Sequence, residues 1–142
     1  MAGTGATKSG AGSGATPGFD ASIRTLLDAF PYYVMLIDAD HRILAVNAAV
    51  ERALGLSASD ILCQHCPTLI HGTSSGYPGC PLAEAVATQS AVESELFDEA
   101  AGAWMRACVY PTSLRGDTGQ TVYLHTARDI SEEITTRTSR ER

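Results

Sequence analysis

The segment Cys63-Gln64-His65-Cys66-Pro67-Thr68-Leu69-Ile70-His71-Gly72, followed by Pro78-Gly79-Cys80-Pro81, gathers three of the chain's four cysteines and two of its four histidines. Thiolate and imidazole carry lone pairs that bind zinc, iron or copper, and thiols that approach closely can be joined as a disulfide. The spacing Cys63-x2-Cys66-x4-His71-x8-Cys80 sets out four candidate metal ligands. A C-x2-C pair turns tightly enough to bring both sulfurs to one side of a single ion. Three thiolates with one imidazole suit zinc, and they suit equally an iron–sulfur cluster with one non-cysteine ligand. Without a metal, Cys63, Cys66 and Cys80 are a set of thiols for redox chemistry.

The other residues of these types read differently. His65 sits inside the C-x2-C loop, where a side chain points to solvent. His41 falls in a turn and His125 on a strand, and each reads as a surface or hydrogen-bonded polar side chain. Along the strand around Cys108, Trp104, Arg106, Cys108 and Tyr110 share one face, and Met105, Ala107 and Val109 share the other. The small apolar face suits the interior, so Cys108 is expected to point away from the Cys/His segment. Covalent c-type haem needs C-x-x-C-H, but Pro67 follows the pair. Non-covalent haem through His71 is the remaining haem route.

Catalysis finds little support. Cys66 with His65 or His71 could form a thiolate–imidazolium pair, but nothing supplies a defined oxyanion hole. The sequence has no nucleophile elbow, P-loop or Rossmann glycines. A non-catalytic protein is expected.

Composition narrows the classes further. A chain of 142 residues with 44% hydrophobic content suits one domain with one core. The net charge is −6 and Lys8 is the only lysine, which excludes the basic footprint of a nucleic-acid binder. No apolar run approaches the roughly 20 residues that span a bilayer, and the beginning of the chain has no hydrophobic block of a signal peptide. A cytoplasmic location, with no membrane partner, is the expectation. In that reducing setting, clustered cysteines point to metal or redox chemistry rather than to a structural staple.

The elements that must position the segment follow from local signals. Residues 1–18, rich in Gly, Ala, Ser and Thr, read as a flexible tail. Phe19, Ile23, Leu26, Leu27 and Phe30 fall on one face of a helix capped by Asp20 or Ser22 and stopped before Pro31. Its stripe belongs on the outer face of a sheet or on a second copy of itself. Residues 32–37 and 43–46 form a hairpin about the turn Asp38-Ala39-Asp40-His41. Asn47 caps a short helix over 48–54 that ends at Gly55. Ser57-Ala58-Ser59-Asp60 resembles a capping box opening one further turn, which delivers Cys63. Pro81 opens a helix over 82–88. Strands over 92–97, 104–110 and 121–127 follow, separated by turns at 98–102 and 115–119. From Asp129 the chain is polar and can start a helix.

This order of elements, and particular residues within it, resemble a PAS domain over roughly residues 20 to 133. Ile37-Asp38, Ile43 to Asn47 with Ala49, Leu54-Gly55 and Asp60-Ile61-Leu62 match the family's first half. Trp104, the strand ending at Tyr110-Pro111, and Arg128-Asp129-Ile130-Ser131-Glu132 match its second half, including the exit towards an output helix. The resemblance implies an α+β fold: a five-stranded antiparallel sheet with short helices on one face, enclosing a cavity. Here an N-terminal amphipathic helix is added. Cys66, His71-Gly72 and Cys80-Pro81-Leu82 resemble a Cys/His-rich PAS variant of sensor proteins, some of which hold iron–sulfur clusters through a similar loop. Cys63 stands where the family usually has glycine, and Tyr77 where that variant carries another cysteine. In light-sensing flavin relatives the reactive cysteine follows asparagine and precedes arginine. Cys66 takes its place, but His65 and Pro67 replace those neighbours, Ile70 replaces a glutamine, and Met105 and Ala127 replace polar flavin contacts. Flavin chemistry is therefore not expected.

Together these readings give a tail over 1–18, a PAS-like sensor domain over 19–133, and the start of an output helix or tail over 134–142. The expected function is a cytoplasmic sensory module of signal transduction, sensing redox state or metal through Cys63, Cys66, His71 and Cys80. Zinc or an iron–sulfur cluster is the expected cofactor. The alternative is a cofactor-free dimerisation module with inert cysteines. Expected partners are a second copy of the chain and an output domain or protein such as a histidine kinase.

Overall fold

A computed structural model describes residues 19, 21–62, 80–99 and 102–140. The chain runs through α1 (Ala21–Asp28), β1 (Tyr33–Ile37), β2 (Ile43–Val46), α2 (Ala48–Leu54), α3 (Ala58–Ile61), α4 (Leu82–Thr88), β3 (Val92–Asp98), β4 (Ala103–Arg115), β5 (Thr121–Asp129) and α5 (Ser131–Arg140). The strands form one antiparallel sheet in the order β2-β1-β5-β4-β3. The α+β architecture is the one expected, with α2, α3 and α4 on one face and α1 on the other. The final helix begins at Ser131, ahead of the division placed at 133/134.

Period-two alternation sorts the strands onto two faces. On the inner face, Met35, Ile37, Ile43, Val46, Val109 and Tyr123 pack with Val50 of α2, Ile61 of α3, and Leu82 and Ala85 of α4. On the outer face, Val34, Leu36, Leu44, Ala45 and Val122 pack with Phe19 and with Leu27 of α1, flanked by Ile23 and Phe30. Four of the five stripe residues are therefore seated on the chain's own sheet. Leu26 alone turns outward, 61% exposed. Burying a side chain such as Leu27 contributes about 1.5–3 kcal/mol, enough to hold an eight-residue helix that would be unstable alone.

Asn47 is the polar centre of this first half. Its Oδ1 accepts from the amide of Val50, which caps α2, and from that of Val34 in β1. Its Nδ2 reaches the carbonyls of Leu27, Phe30 and Tyr32. One buried side chain thus joins the end of α1, the start of β1 and the start of α2. Gly55 closes α2 in the left-handed region at φ 69°, donating to the Glu51 carbonyl.

Two local readings are corrected. Ser57 makes no side-chain cap to α3, because its hydroxyl bonds the Asp60 carboxylate at 2.9 Å. The amide of Ala58 goes instead to Glu51 Oε2 at 2.6 Å, a carboxylate brought by the preceding helix. The other concerns β4, which runs 13 residues, through Pro111, rather than ending at Tyr110. Its pairing with β3 finishes at Val109 opposite Val92, so Pro111 lies where one neighbour has been lost. A register irregularity between Pro111 and Arg115 accommodates it against β5.

Candidate functional site

Of the four candidate ligands, Cys63, Cys66 and His71 lie outside the described residues, as does His65, and Cys80 lies within them. No group of three His, Cys, Asp or Glu side chains with metal-holding geometry occurs among the described residues. What the fold defines is how the two ends of the Cys/His segment are held. Leu62, which follows α3, and Cys80, which precedes α4, both pack against the inner-face cluster. The segment therefore starts and finishes on the same side of the sheet.

Each end has its own polar anchor. At the start, the Glu51 carboxylate binds the Ala58 amide through one oxygen and the Arg24 guanidinium through the other. Arg24 also pairs with Asp28 at 2.9 Å, and Asp28 accepts from the Ala48 amide at 2.7 Å. Partial burial by itself would lower the Arg24 pKa, but the hydrogen bonds to Asp28 and Glu51 outweigh it and the pKa rises. Helix α1, α2 and the first turn of α3 are thereby joined by one set of charges. At the finish, α4 ends in Gln89, whose amide nitrogen donates to the Tyr123 hydroxyl at 2.8 Å and to the Val86 carbonyl at 2.9 Å. Tyr123 lies at the heart of the inner face, 2% exposed.

Cys80 is half-buried, and burial pushes its thiol pKa up, opposed by a hydrogen bond with the Leu82 backbone. A thiol held in its neutral form is a poor nucleophile. Cys108 sits on the outer face opposite Glu93 and Thr126, beside Tyr110, as strand alternation predicts. It is buried there, away from the inner cluster that Cys80 joins. His125, read from the sequence as a surface or hydrogen-bonded residue, is buried on the inner face between Met35 of β1 and Val109 of β4. Its alternation with Tyr123 and Ala127 carries that placement, and the surrounding residues are apolar on both neighbouring strands.

The far end of the sheet carries the link to α5. The Ile130 amide donates to the Trp104 carbonyl at 2.8 Å, and the Trp104 amide to Ser131 Oγ at 3.2 Å. Asp129 accepts from the Ser131 amide at 2.8 Å, and this bond, with one from the Ser131 hydroxyl, holds its carboxyl below the usual range. Arg106 on β4 then reaches Glu133 of α5 at 2.7 Å and Glu95 of β3 at 2.9 Å. Its Nε lies 2.8 Å from Glu93, an ion contact outside good hydrogen-bond alignment. Arg137 adds contacts to Glu95 and Glu133. Next to this ladder, Phe97 and Trp104 meet edge to face at 5.8 Å and remain partly open to solvent, as does Tyr110.

The sequence profile described as "PAS domain" matches residues 31–132. The chain belongs to the PAS domain family. No curated protein matches it in sequence. Similar solved structures include a domain of an HTR-like protein from Haloarcula marismortui, 18% identical with a TM-score of 0.59, covering 71% of this chain and 99% of that one. The PAS domain of nitrogen regulation protein NR(II) from Vibrio parahaemolyticus is 18% identical with a TM-score of 0.58, covering 76% and 97%. The photoactive yellow protein domain of the sensor histidine kinase Ppr from Rhodospirillum centenum is 12% identical with a TM-score of 0.56, covering 75% and 92%. At these identities the likeness is one of fold. PAS domains are sensory modules of signal transduction, which fits a sheet carrying a helix at each end. Among the described residues no helix is long and apolar enough to cross a membrane.

Proposed function

We propose that this PAS domain is a cytoplasmic sensor of redox state or metal, with Cys63, Cys66, His71 and Cys80 as its responsive groups. The observation that carries the reading is the placement of Cys80. It joins the inner cluster immediately before α4, so a change of state at its sulfur acts directly on a helix packed against the sheet. The C-x2-C spacing of Cys63 and Cys66 supplies the complementary thiols. With a metal bound, the four side chains would supply three sulfurs and one nitrogen to zinc or to an iron–sulfur cluster.

In a metal-free redox response the oxidant is a hydroperoxide. The thiolate of Cys63 or Cys66 attacks the peroxide, the O–O bond breaks, and a sulfenic acid forms. A second thiol of the three then displaces water to form the S–S bond, so two electrons pass from two sulfurs to the peroxide.

Protein purified without oxygen and analysed for metals and by UV–visible spectroscopy should carry zinc or an iron–sulfur chromophore, with occupancy lowered by Cys63→Ser and by Cys80→Ser. Otherwise, mild peroxide should link two of Cys63, Cys66 and Cys80, identified by peptide mass spectrometry. Metal-free protein whose three thiols stay free after oxidation would reject both forms of the proposal.

A second reading is favoured by the outer face. Phe97, Trp104 and Tyr110 on the sheet and Leu26 on α1 are large apolar side chains left in contact with water. They suit a cofactor-free module that pairs with a second copy and relays to an output protein such as a histidine kinase. Pairing of this kind is compatible with sensing, and the homodimer is proposed under both readings.

A further inference from the structure

We infer that the Gln89–Tyr123 hydrogen bond is the contact through which a rearrangement at Cys80 reaches β5 and the helix that leaves it. The inference rests on the sensing reading above and names the route out of that site. Helix α4 is only seven residues long, with Cys80-Pro81 at one end and Gln89 at the other. A short helix packed by Leu82 and Ala85 moves as one piece, so displacement at its first turn appears at its last. The apolar contacts of Leu82 and Ala85 carry no preferred direction. A hydrogen bond of 2.8 Å does have one, and it is lost on a movement of about an ångström.

Gln89 is built for this contact. Its backbone lies in the left-handed region at φ 53°, a conformation that favours glycine or asparagine over glutamine. Its main-chain N–H closes the helix on the Ala85 carbonyl, which glycine would do equally well. The long side chain adds something a cap does not need: its amide nitrogen bridges the Val86 carbonyl and the Tyr123 hydroxyl. Tyr123 is paired with Ile37 of β1 and Pro111 of β4, so it is fixed in the centre of the sheet. Six residues further on, the same strand ends at Asp129, and Ile130 and Ser131 are hydrogen-bonded to Trp104 at the root of α5.

Trp104 is the chain's only tryptophan, so its emission reports that root without labelling. The test follows Trp104 emission while full-length protein is oxidised with hydrogen peroxide and re-reduced, and while metal is removed with a chelator, with thiols and metal counted in parallel. Tyr123→Phe removes one oxygen and keeps the ring. Gln89→Gly removes the side chain and suits the backbone angle. The unmodified chain should show an emission shift, and both variants should lose most of it while their thiol and metal counts change as before. A full shift in both variants overturns the inference.

Thiols and metal that do not change in the unmodified chain reject the sensing reading, and the route is then decided by a double-mutant cycle. Cys80→Glu, or Cys80→Thr where the first does not fold, forces a change at the start of α4 without any redox step. Its effect on Trp104 emission should be lost in combination with Tyr123→Phe. Additive effects in the cycle overturn the inference.

Discussion

Arg106 of β4 and Glu133 of α5 form a 2.7 Å ion pair that ties the outer face of the sheet to the last helix. Helix α5 buries none of its residues fully, so polar contacts bear much of its attachment. The hydrogen bonds that Arg106 donates to Glu133 and Glu95 push its pKa up despite some desolvation. Arg106→Gln should therefore release α5 while leaving the sheet folded. Faster amide exchange over residues 131–140, with an unchanged rate in the strand centres, is the expected result. Unchanged exchange in α5 would show that other contacts hold it.

Acid should act on the same ladder. Hydrogen bonds from Arg137 and Arg106 lower the Glu95 pKa, and the bond from Arg106 lowers that of Glu133, both from the ordinary 4.5. A carboxylate with a lowered folded pKa contributes stability that is complete above its unfolded value and is lost as pH falls through its folded value. The attachment of α5 should thus be independent of pH above about 4.5 and weaken below it. High salt should mimic acid. Trp104 emission followed from pH 7 downwards checks this, and Glu133→Gln should flatten the acid limb.

Asn47 should be among the least replaceable residues of the domain. Asn47→Ala removes the cap of α2, a loss of about 0.5–2 kcal/mol, and leaves carbonyls of the α1–β1 link and the Val34 amide without that partner at about 1–3 kcal/mol for each group that stays dry. Asn47→Asp keeps the acceptor for Val50 and Val34 but turns a second carboxylate oxygen towards three carbonyls. Both variants should lower the denaturation midpoint by several kcal/mol equivalent, of the order seen for broken buried networks. An Asp variant as stable as the parent would mean that the three carbonyl contacts carry little weight.

Adjacent leucines of α1 should behave in opposite ways. Leu27 is buried against Val34, Leu36 and Val122, so Leu27→Glu should lift α1 off the sheet and destabilise the domain. Leu26 faces outward, so Leu26→Glu should lower the thermal midpoint far less than Leu27→Glu and shift the proposed homodimer towards monomer. Light scattering and thermal unfolding together separate the two effects. A monomer for the unmodified chain at high concentration would reject the dimer.

What was legible in the sequence was what local chemistry dictates. The hairpin turn at Asp38, the cap at Asn47, the stop at Gly55 and the helix opening after Pro81 were written in single residues whose backbone preferences leave little choice. The alternation around Cys108 gave its face correctly, because a strand has only two faces. Contacts made across the fold were not legible. Glu51 reaches the Ala58 amide across the link between α2 and α3, and Arg24 joins them from 27 positions away. His125 looked like one more polar strand residue until the registers with Met35 and Val109 put it inside. Of the proposed ligand set, spacing specified the types, and the fold adds the surroundings of Cys80.

Tyr33 and Ala127 are paired neighbours, so the strand that follows the first helix and the strand that precedes the last one lie side by side in the middle of the sheet, running in opposite directions. The first strand therefore begins beside the end of the last one. The same geometry makes it a two-terminal component: a twist of the central strand pair alters the angle between the incoming and outgoing helices, whichever proteins those helices continue into.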